Sequence, residues 1–193
     1  MLIGLETLHS KTIMHRDLKS ANVFKTSEGY KLGDLNVSKV VAGNLAYTQT
    51  GTPYYASPEV WRDEPYDCKS DIWSLGCILF EMAALRPPFE GRDLEELFRH
   101  VQNKPIPSIP KHYSRDLTDL IQYCLNKKAS KRPTTSELLK HAPFQKYFID
   151  GFSSKELVEK EQNIQPVNQK LLQTIKLPSD LKKLKDKLPD SKY

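Results

Sequence analysis

Charged and amide side chains are concentrated in one short stretch near the start of the chain, His15-Arg16-Asp17-Leu18-Lys19-Ser20-Ala21-Asn22. Lys19 follows Asp17 by two residues, and another aspartate, Asp34, follows Asn22 by twelve. Carboxylate and amide oxygens are ligands that the hard cation Mg²⁺ prefers, and a lysine can neutralise a neighbouring anionic group. An aspartate alone in a polar loop is more typical of a turn cap. The combination of these four residues at this spacing instead favours a catalytic site.

The order of motifs along the chain resembles that of protein kinases. The stretch around Asp17 is similar to their catalytic loop, Asp34-Leu35-Asn36 to the metal-binding triplet, and Ser57-Pro58-Glu59 to the end of the activation segment. Each tripeptide alone is weak evidence, but the ordered series makes an accident improbable. The resemblance runs from Met1 to about Phe148 and implies transfer of the ATP γ-phosphoryl group to protein hydroxyls.

This resemblance assigns chemical roles to five side chains. Asp17 would accept the proton of the substrate hydroxyl, and Lys19 would place a positive charge beside the transferring phosphoryl group. Asn22 and Asp34 would bind Mg²⁺ together with phosphates and water. Phe24 would form part of the floor under the adenine ring. The implied cofactors are therefore ATP and Mg²⁺, bound by Lys19, Asn22, Phe24 and Asp34.

The triplet beginning at Asp34 departs from the usual kinase pattern. Leu35 stands where phenylalanine is usual, and Asn36 stands where glycine is usual. Asparagine tolerates left-handed backbone angles better than most residues, so we still expect Asp34 to bind the metal.

Five further positions match structural residues of the same family. His15 and Leu35 would stack in the hydrophobic spine, and Asp71 would hold the backbone of the catalytic loop. Glu59 would form a buried ion pair with Arg132, although Arg132 considered alone is more typical of a solvated surface residue.

Two features favour serine or threonine over tyrosine as the phosphorylated residue. Lys19 lies in the catalytic loop, and Thr52 lies in Gly51-Thr52-Pro53-Tyr54-Tyr55, which resembles the substrate platform of serine/threonine kinases. Together with Lys69-Ser70-Asp71-Ile72-Trp73-Ser74-Leu75-Gly76-Cys77, these residues look most like the NIMA-related subfamily.

A regulatory site is also implied by the resemblance. Thr48 occupies the position of an activating phosphorylation site, and Arg16 and Lys39 are the cations expected to face it. A phosphate adds strong acceptor oxygens and about −1.5 to −2 charges, which would order the loop. Thr50 is the nearest competing phosphorylation site. The alternative interpretation is that Thr48 is an ordinary solvated threonine of the loop.

Short elements come first along the chain, and helices follow. The sequence from Leu2 to His9 is typical of the end of a helix. Residues 23–25 and 30–32 are typical of two strands joined by a turn at 27–29. Residues 34–59 show no periodicity, which indicates a long loop. Four helices are predicted after this loop. The first, at 70–85, is apolar on nearly every side and therefore buried. The next two are indicated by apolar stripes at 94–101 and at 117–125, the latter capped by Ser114, and the fourth by a capping box at Thr134-x-x-Glu137.

The expected fold is therefore mainly α, a protein kinase C-terminal lobe with a few short β-strands and no N-terminal lobe. No glycine-rich loop, strand lysine, αC glutamate or hinge precedes His15. Two hypotheses follow. The chain is a lobe of an active serine/threonine kinase, or it is a truncated, inactive lobe that acts as a protein-binding module. The expected partners are protein substrates and the missing N-lobe. The family resemblance also implies partners among the proteins of microtubules, centrosomes and cilia.

The composition agrees with one domain, at 1–148, followed by a basic and mostly flexible tail at 149–193. The net charge of +5 reflects lysines that cluster in this tail, so we expect no nucleic-acid partner.

Three separated cysteines without a CxxC pair favour a reducing compartment. The longest apolar stretch, 72–85, is interrupted and shorter than the ~20 residues that span a bilayer. The chain is therefore expected in the cytoplasm, with cytoskeletal or ciliary sites by family.

Overall fold

A computed structural model describes residues 1–27, 29–35 and 53–141, and the backbone of residues 39–40. The described residues are mostly helical. The helices are Leu2–His9 (α1), Pro58–Trp61 (α2), Cys68–Ala84 (α3), Leu94–Asn103 (α4), Arg115–Cys124 (α5) and Thr135–Lys140 (α6). Among these residues, no helix has both the length and the apolar composition needed to cross a membrane.

Two small antiparallel pairs of strands accompany the helices. Val23–Thr26 (β2) and Gly29–Leu32 (β3) form a hairpin, as the two strand fragments and the intervening turn predicted. The other pair was not predicted. It joins Ile13–Met14 (β1) to Lys39–Val40 (β4), which lies in the segment expected to be a continuous loop. Helix α2 also begins inside that segment, so the prediction of a loop throughout 34–59 was wrong at these two places.

Helix α3 lies at the centre of the packing, as its apolar sequence predicted. One side packs into a cluster that includes Trp73 and Phe80, and the other into a cluster that includes Ile72 and Ile78. Gly76 lets α5 approach closely, because a β-carbon there would lie 2.8 Å from the β-carbon of Cys124. The second cluster also contains Leu18, so the buried helix supports residues 15–22, which we call the 15–22 loop.

Side-chain caps define where the later helices begin. Ser114 accepts a hydrogen bond from the Leu117 N–H, and Thr134 forms the complete capping box with Glu137, so both predicted caps are confirmed. The apolar stripe of α4 is confirmed only in part, because Leu94 is 61% exposed. Leu94 is the first residue of α4, directly after the cap Asp93, and the packed side of the helix starts at Leu97.

The end of α3 contains a strained residue. Leu85 has φ 55° and ψ 28°, the left-handed conformation that usually takes glycine at a helix end, and its side chain is 90% exposed. Replacing Leu85 by glycine is expected to stabilise the chain by about 0.5–1 kcal/mol, because relief of strain exceeds the entropy that glycine adds to the unfolded state. Urea denaturation measures this gain. The matched control, Leu85→Ala, keeps the β-carbon and should give no gain, and equal stabilisation by both variants would contradict the explanation.

Candidate active site

The register of the hairpin places the two proposed metal ligands next to each other. Val23 pairs with Leu32 at the open end of the hairpin. Just beyond this pair, the N–H of Gly33, which follows Leu32, donates to the carbonyl oxygen of Asn22, which precedes Val23, at 3.0 Å. Asp34 follows Gly33 directly, so its backbone lies beside Asn22. Two residues that are twelve positions apart in the sequence are thus brought together by one local turn.

The 15–22 loop holds its polar side chains against one another. Lys19 Nζ lies 2.6 Å from Asp17 Oδ2, and the two side chains are mostly buried. Asn22 Nδ2 donates to the Asp17 carbonyl oxygen at 2.8 Å and lies 3.3 Å from Asp17 Oδ2. Both contacts keep the Asp17 carboxylate in a defined position, and Lys19 supplies a nearby positive charge.

Asp71, at the start of α3, holds the backbone of this loop. Its two carboxylate oxygens accept from the His15 N–H at 2.8 Å and the Arg16 N–H at 3.0 Å. His9 Nε2 lies 2.8 Å from the same carboxylate. Arg16 and Asp34 both have left-handed backbone angles, with φ 70° and 58°. Such angles cost energy in residues other than glycine and persist where the surroundings determine them.

The proposed spine and adenine-floor residues differ in burial. His15 is fully buried, and its Nε2 lies 3.1 Å from the Gly33 carbonyl oxygen, which links the 15–22 loop to the Asp34 region. Leu35 and Phe24 are about half exposed, at 49% and 53%. The Phe24 ring lies over Gly33, where an added β-carbon would be 2.5 Å from it. Phe24 therefore offers an exposed aromatic surface beside the proposed metal ligands.

Glu59 and Arg132 form a buried ion pair across 73 residues of sequence. Arg132 Nη1 and Nη2 donate to the two Glu59 oxygens at 2.6 and 2.8 Å, and Ser70 Oγ donates to Glu59 Oε1 at 2.7 Å. Burial alone would raise the pKa of Glu59, but these hydrogen bonds and the charge of Arg132 outweigh it and hold the pKa below its ordinary value. Glu59 is therefore ionised in the fold, and its ion pair anchors the first turn of α2.

Tyr55 is a structural link that the sequence did not single out. Its hydroxyl donates to Glu81 Oε2 at 2.7 Å and lies 3.0 Å from Ser20 Oγ, so it joins the 15–22 loop to α3. Burial raises the pKa of Tyr55; the hydrogen bond to Ser20 opposes this, and the contact with Glu81 adds to it. Its only signal in the sequence was its place in the platform-like motif, since the partner Glu81 lies 26 residues away.

A magnesium ion fits the residues at this site. The described residues contain no group of three His, Cys, Asp or Glu side chains suited to a metal. Mg²⁺ in phosphoryl-transfer enzymes does not need such a group, since one or two protein oxygens suffice when phosphates and water complete the shell. Because Asn22 Nδ2 is bound to the Asp17 carbonyl oxygen, the Asn22 amide oxygen remains the atom able to take a cation.

Three of the predicted residues cannot be placed. Thr48 and Thr52 lie outside the described residues, and only the backbone of Lys39 is described, in β4. Arg16, which with Lys39 is expected to face phosphorylated Thr48, lies near the Tyr66 ring and donates from Nε to the Tyr66 hydroxyl at 3.1 Å. The regulatory role of Thr48, Arg16 and Lys39 and the platform role of Thr52 remain predictions.

Comparison with known proteins identifies the family. The protein kinase domain matches residues 1–144, which is most of the chain. The chain therefore belongs to the protein kinase family. Among curated relatives, it is 42% identical to the serine/threonine-protein kinase Nek11 of Mus musculus over 146 residues, which is 75% of this chain and 23% of the relative.

Other relatives support the same subfamily. The chain is 40% identical over 153 residues to the serine/threonine-protein kinase Nek4 of Mus musculus, covering 78% of this chain and 19% of the relative. It is 39% identical over 154 residues to the serine/threonine-protein kinase Nek6 of Oryza sativa subsp. japonica, covering 79% of this chain and 29% of the relative. The resemblance to NIMA-related serine/threonine kinases is therefore confirmed, although the matched segment spans less than a third of the length of each of these relatives.

Proposed function

We propose that this chain is the C-terminal lobe of a kinase that transfers the γ-phosphoryl group of ATP to serine and threonine hydroxyls of proteins. The observation that carries the proposal is the contact of the Asp17 carboxylate with Lys19 Nζ at 2.6 Å, in a loop whose backbone is held by the buried Asp71. Phosphoryl transfer depends on positioning and charge neutralisation, and this loop supplies both.

Asp17 orients the substrate hydroxyl and accepts its proton as the oxygen attacks the γ-phosphorus, while the bond from that phosphorus to the bridging oxygen of the β-phosphate breaks and ADP leaves. Lys19 stabilises the negative charge on the transferring group, since its ammonium lies beside the same carboxylate. Asn22 and Asp34 would hold Mg²⁺, which would supply positive charge to neutralise the phosphates. The exposed face of Phe24, next to Gly33, is available for the adenine ring. Residues that clamp the phosphates from the other side belong to an N-terminal lobe.

A hybrid kinase tests this function. The matched segment of mouse Nek11 is replaced by the corresponding residues of this chain, and transfer of labelled phosphate from ATP to serine, threonine and tyrosine peptides is measured. We expect label on serine and threonine peptides, little on tyrosine peptides, and none when Mg²⁺ is removed with a chelator. Unchanged Nek11 is the control. A folded hybrid that binds protein partners but transfers no phosphate would instead favour the protein-binding module.

A further inference from the structure

A small cavity lies where three parts of the fold meet, namely the 15–22 loop, the segment just before α2, and helix α3. We call it the junction cavity. Its volume is about 20 Å³, and its polar walls include Arg16, Ser57, Ser70, Asp71 and Ser74. A cavity needs about 10–15 Å³ to hold one water molecule, so the junction cavity has room for a water.

Ser57 has a buried hydroxyl that the described residues leave without a partner. The residue is 1% exposed, and its Oγ makes no hydrogen bond to any residue that the structure describes. Ser57 directly precedes α2, where a serine usually caps the helix, yet its side chain does not make that bond. A buried hydroxyl without a partner is costly, which points to a ligand on this side of the residue.

Other hydroxyls of the cavity wall can still accept hydrogen bonds. Ser70 Oγ donates its hydrogen to Glu59 Oε1 at 2.7 Å, and Ser74 Oγ donates to the Tyr55 carbonyl oxygen at 2.8 Å. Each oxygen keeps lone pairs after donating. A water here can accept from the Ser57 hydroxyl and donate to oxygen atoms on α3, and buried waters typically make about three such bonds.

We propose that the junction cavity binds a single water molecule, which accepts from the Ser57 hydroxyl and donates to oxygen atoms of α3. Ser57 then has a structural role, because the water joins the segment at 53–57 to α3 beside Asp71, which holds the 15–22 loop. The site does not depend on phosphoryl transfer, so it can be tested on this chain alone and stands even if the proposed function fails.

The Ser57→Ala variant tests the proposal, because the sign of its change in Tm distinguishes a bound water from a dry cavity. If the hydroxyl is bonded to water, its removal should lower the Tm of the chain by about 2–4 °C. If the cavity is dry, the same change removes an unsatisfied group and should raise the Tm. Ser108→Ala removes an exposed hydroxyl from the link between α4 and α5 and should leave the Tm unchanged.

A crystal structure of the chain separates bound water from the remaining explanation, a capping bond. We expect density for one water within hydrogen-bonding distance of Ser57 Oγ, and its loss or weakening in Ser57→Ala. An empty cavity, with Ser57 Oγ rotated to accept from the Val60 N–H at the start of α2, overturns the proposal whatever the Tm.

Discussion

Replacing Asp17 by asparagine is expected to lower the kcat of the hybrid kinase by about 10²–10⁴-fold, the usual contribution of a general base. Asparagine has nearly the same shape but cannot accept the substrate proton. The fold of the loop should survive, because Asn22 Nδ2 binds the carbonyl oxygen of residue 17 and Asp71 binds the preceding backbone N–H groups. The KM for ATP should therefore change little. Steady-state kinetics with a threonine peptide measure both constants.

An exposed aspartate provides the matched control for this prediction. Asp116 lies in the first turn of α5, away from the 15–22 loop, and Asp116→Asn makes the same chemical change at the surface. We expect this variant to keep the kcat of the unsubstituted hybrid. If Asp17→Asn also keeps that kcat, Asp17 is not the base and the proposed mechanism is wrong.

The largest expected effect on stability is at the buried ion pair. Arg132→Met should lower the free energy of unfolding by about 3–5 kcal/mol, because it leaves the Glu59 carboxylate buried without its cation. Arg132 has a fully buried side chain and also donates from Nε to the Asn126 carbonyl oxygen at 2.8 Å. Urea denaturation of this chain and the variant measures the difference. Arg115→Met, which removes a side chain that is 92% exposed, is the control and should have little effect.

The pH dependence of that difference tests its cause. In the fold, the pKa of Glu59 lies below its ordinary value of 4.5, so its stabilisation is present above that value and is lost as the pH falls through the lower one. Without Arg132, burial raises the pKa of Glu59, so the carboxylate destabilises the variant most at neutral pH. The gap between the two proteins should therefore shrink in acid. A gap that is independent of pH would assign the loss to packing. The double variant Glu59→Leu with Arg132→Met should recover much of the stability.

Local signals explain why several elements were predictable from the sequence. The capping box of Thr134 with Glu137, the Ser114 cap and the hairpin turn each depend on residues no more than a few positions apart. The hairpin also brings Asn22 next to Asp34, so this part of the candidate site follows from a short segment. The order of kinase motifs added the family and the proposed roles, since spacing alone does not say that Asp17 is a base.

Contacts between distant segments could be obtained only from the tertiary structure or from the family resemblance. The pairing of Glu59 with Arg132 and of Asp71 with the His15 N–H was expected from the resemblance, because no local pattern joins residues 73 and 56 positions apart. The link from Tyr55 to Glu81 and the orphaned hydroxyl of Ser57 were not expected at all.

The same reason explains the exposed Leu94 and the strained Leu85. Helical periodicity indicates that a residue lies on an apolar stripe, but the neighbouring elements decide where that stripe begins to be buried. Likewise, leucine is a poor residue for a left-handed helix end, and the chain path after α3 imposes that conformation on Leu85. The sequence by itself determined the hairpin, the four later helices, the caps at Ser114 and Thr134, and the motif order of a protein kinase. Tertiary packing decided which polar groups meet, because those contacts depend on how α3 lies against the loops that surround it.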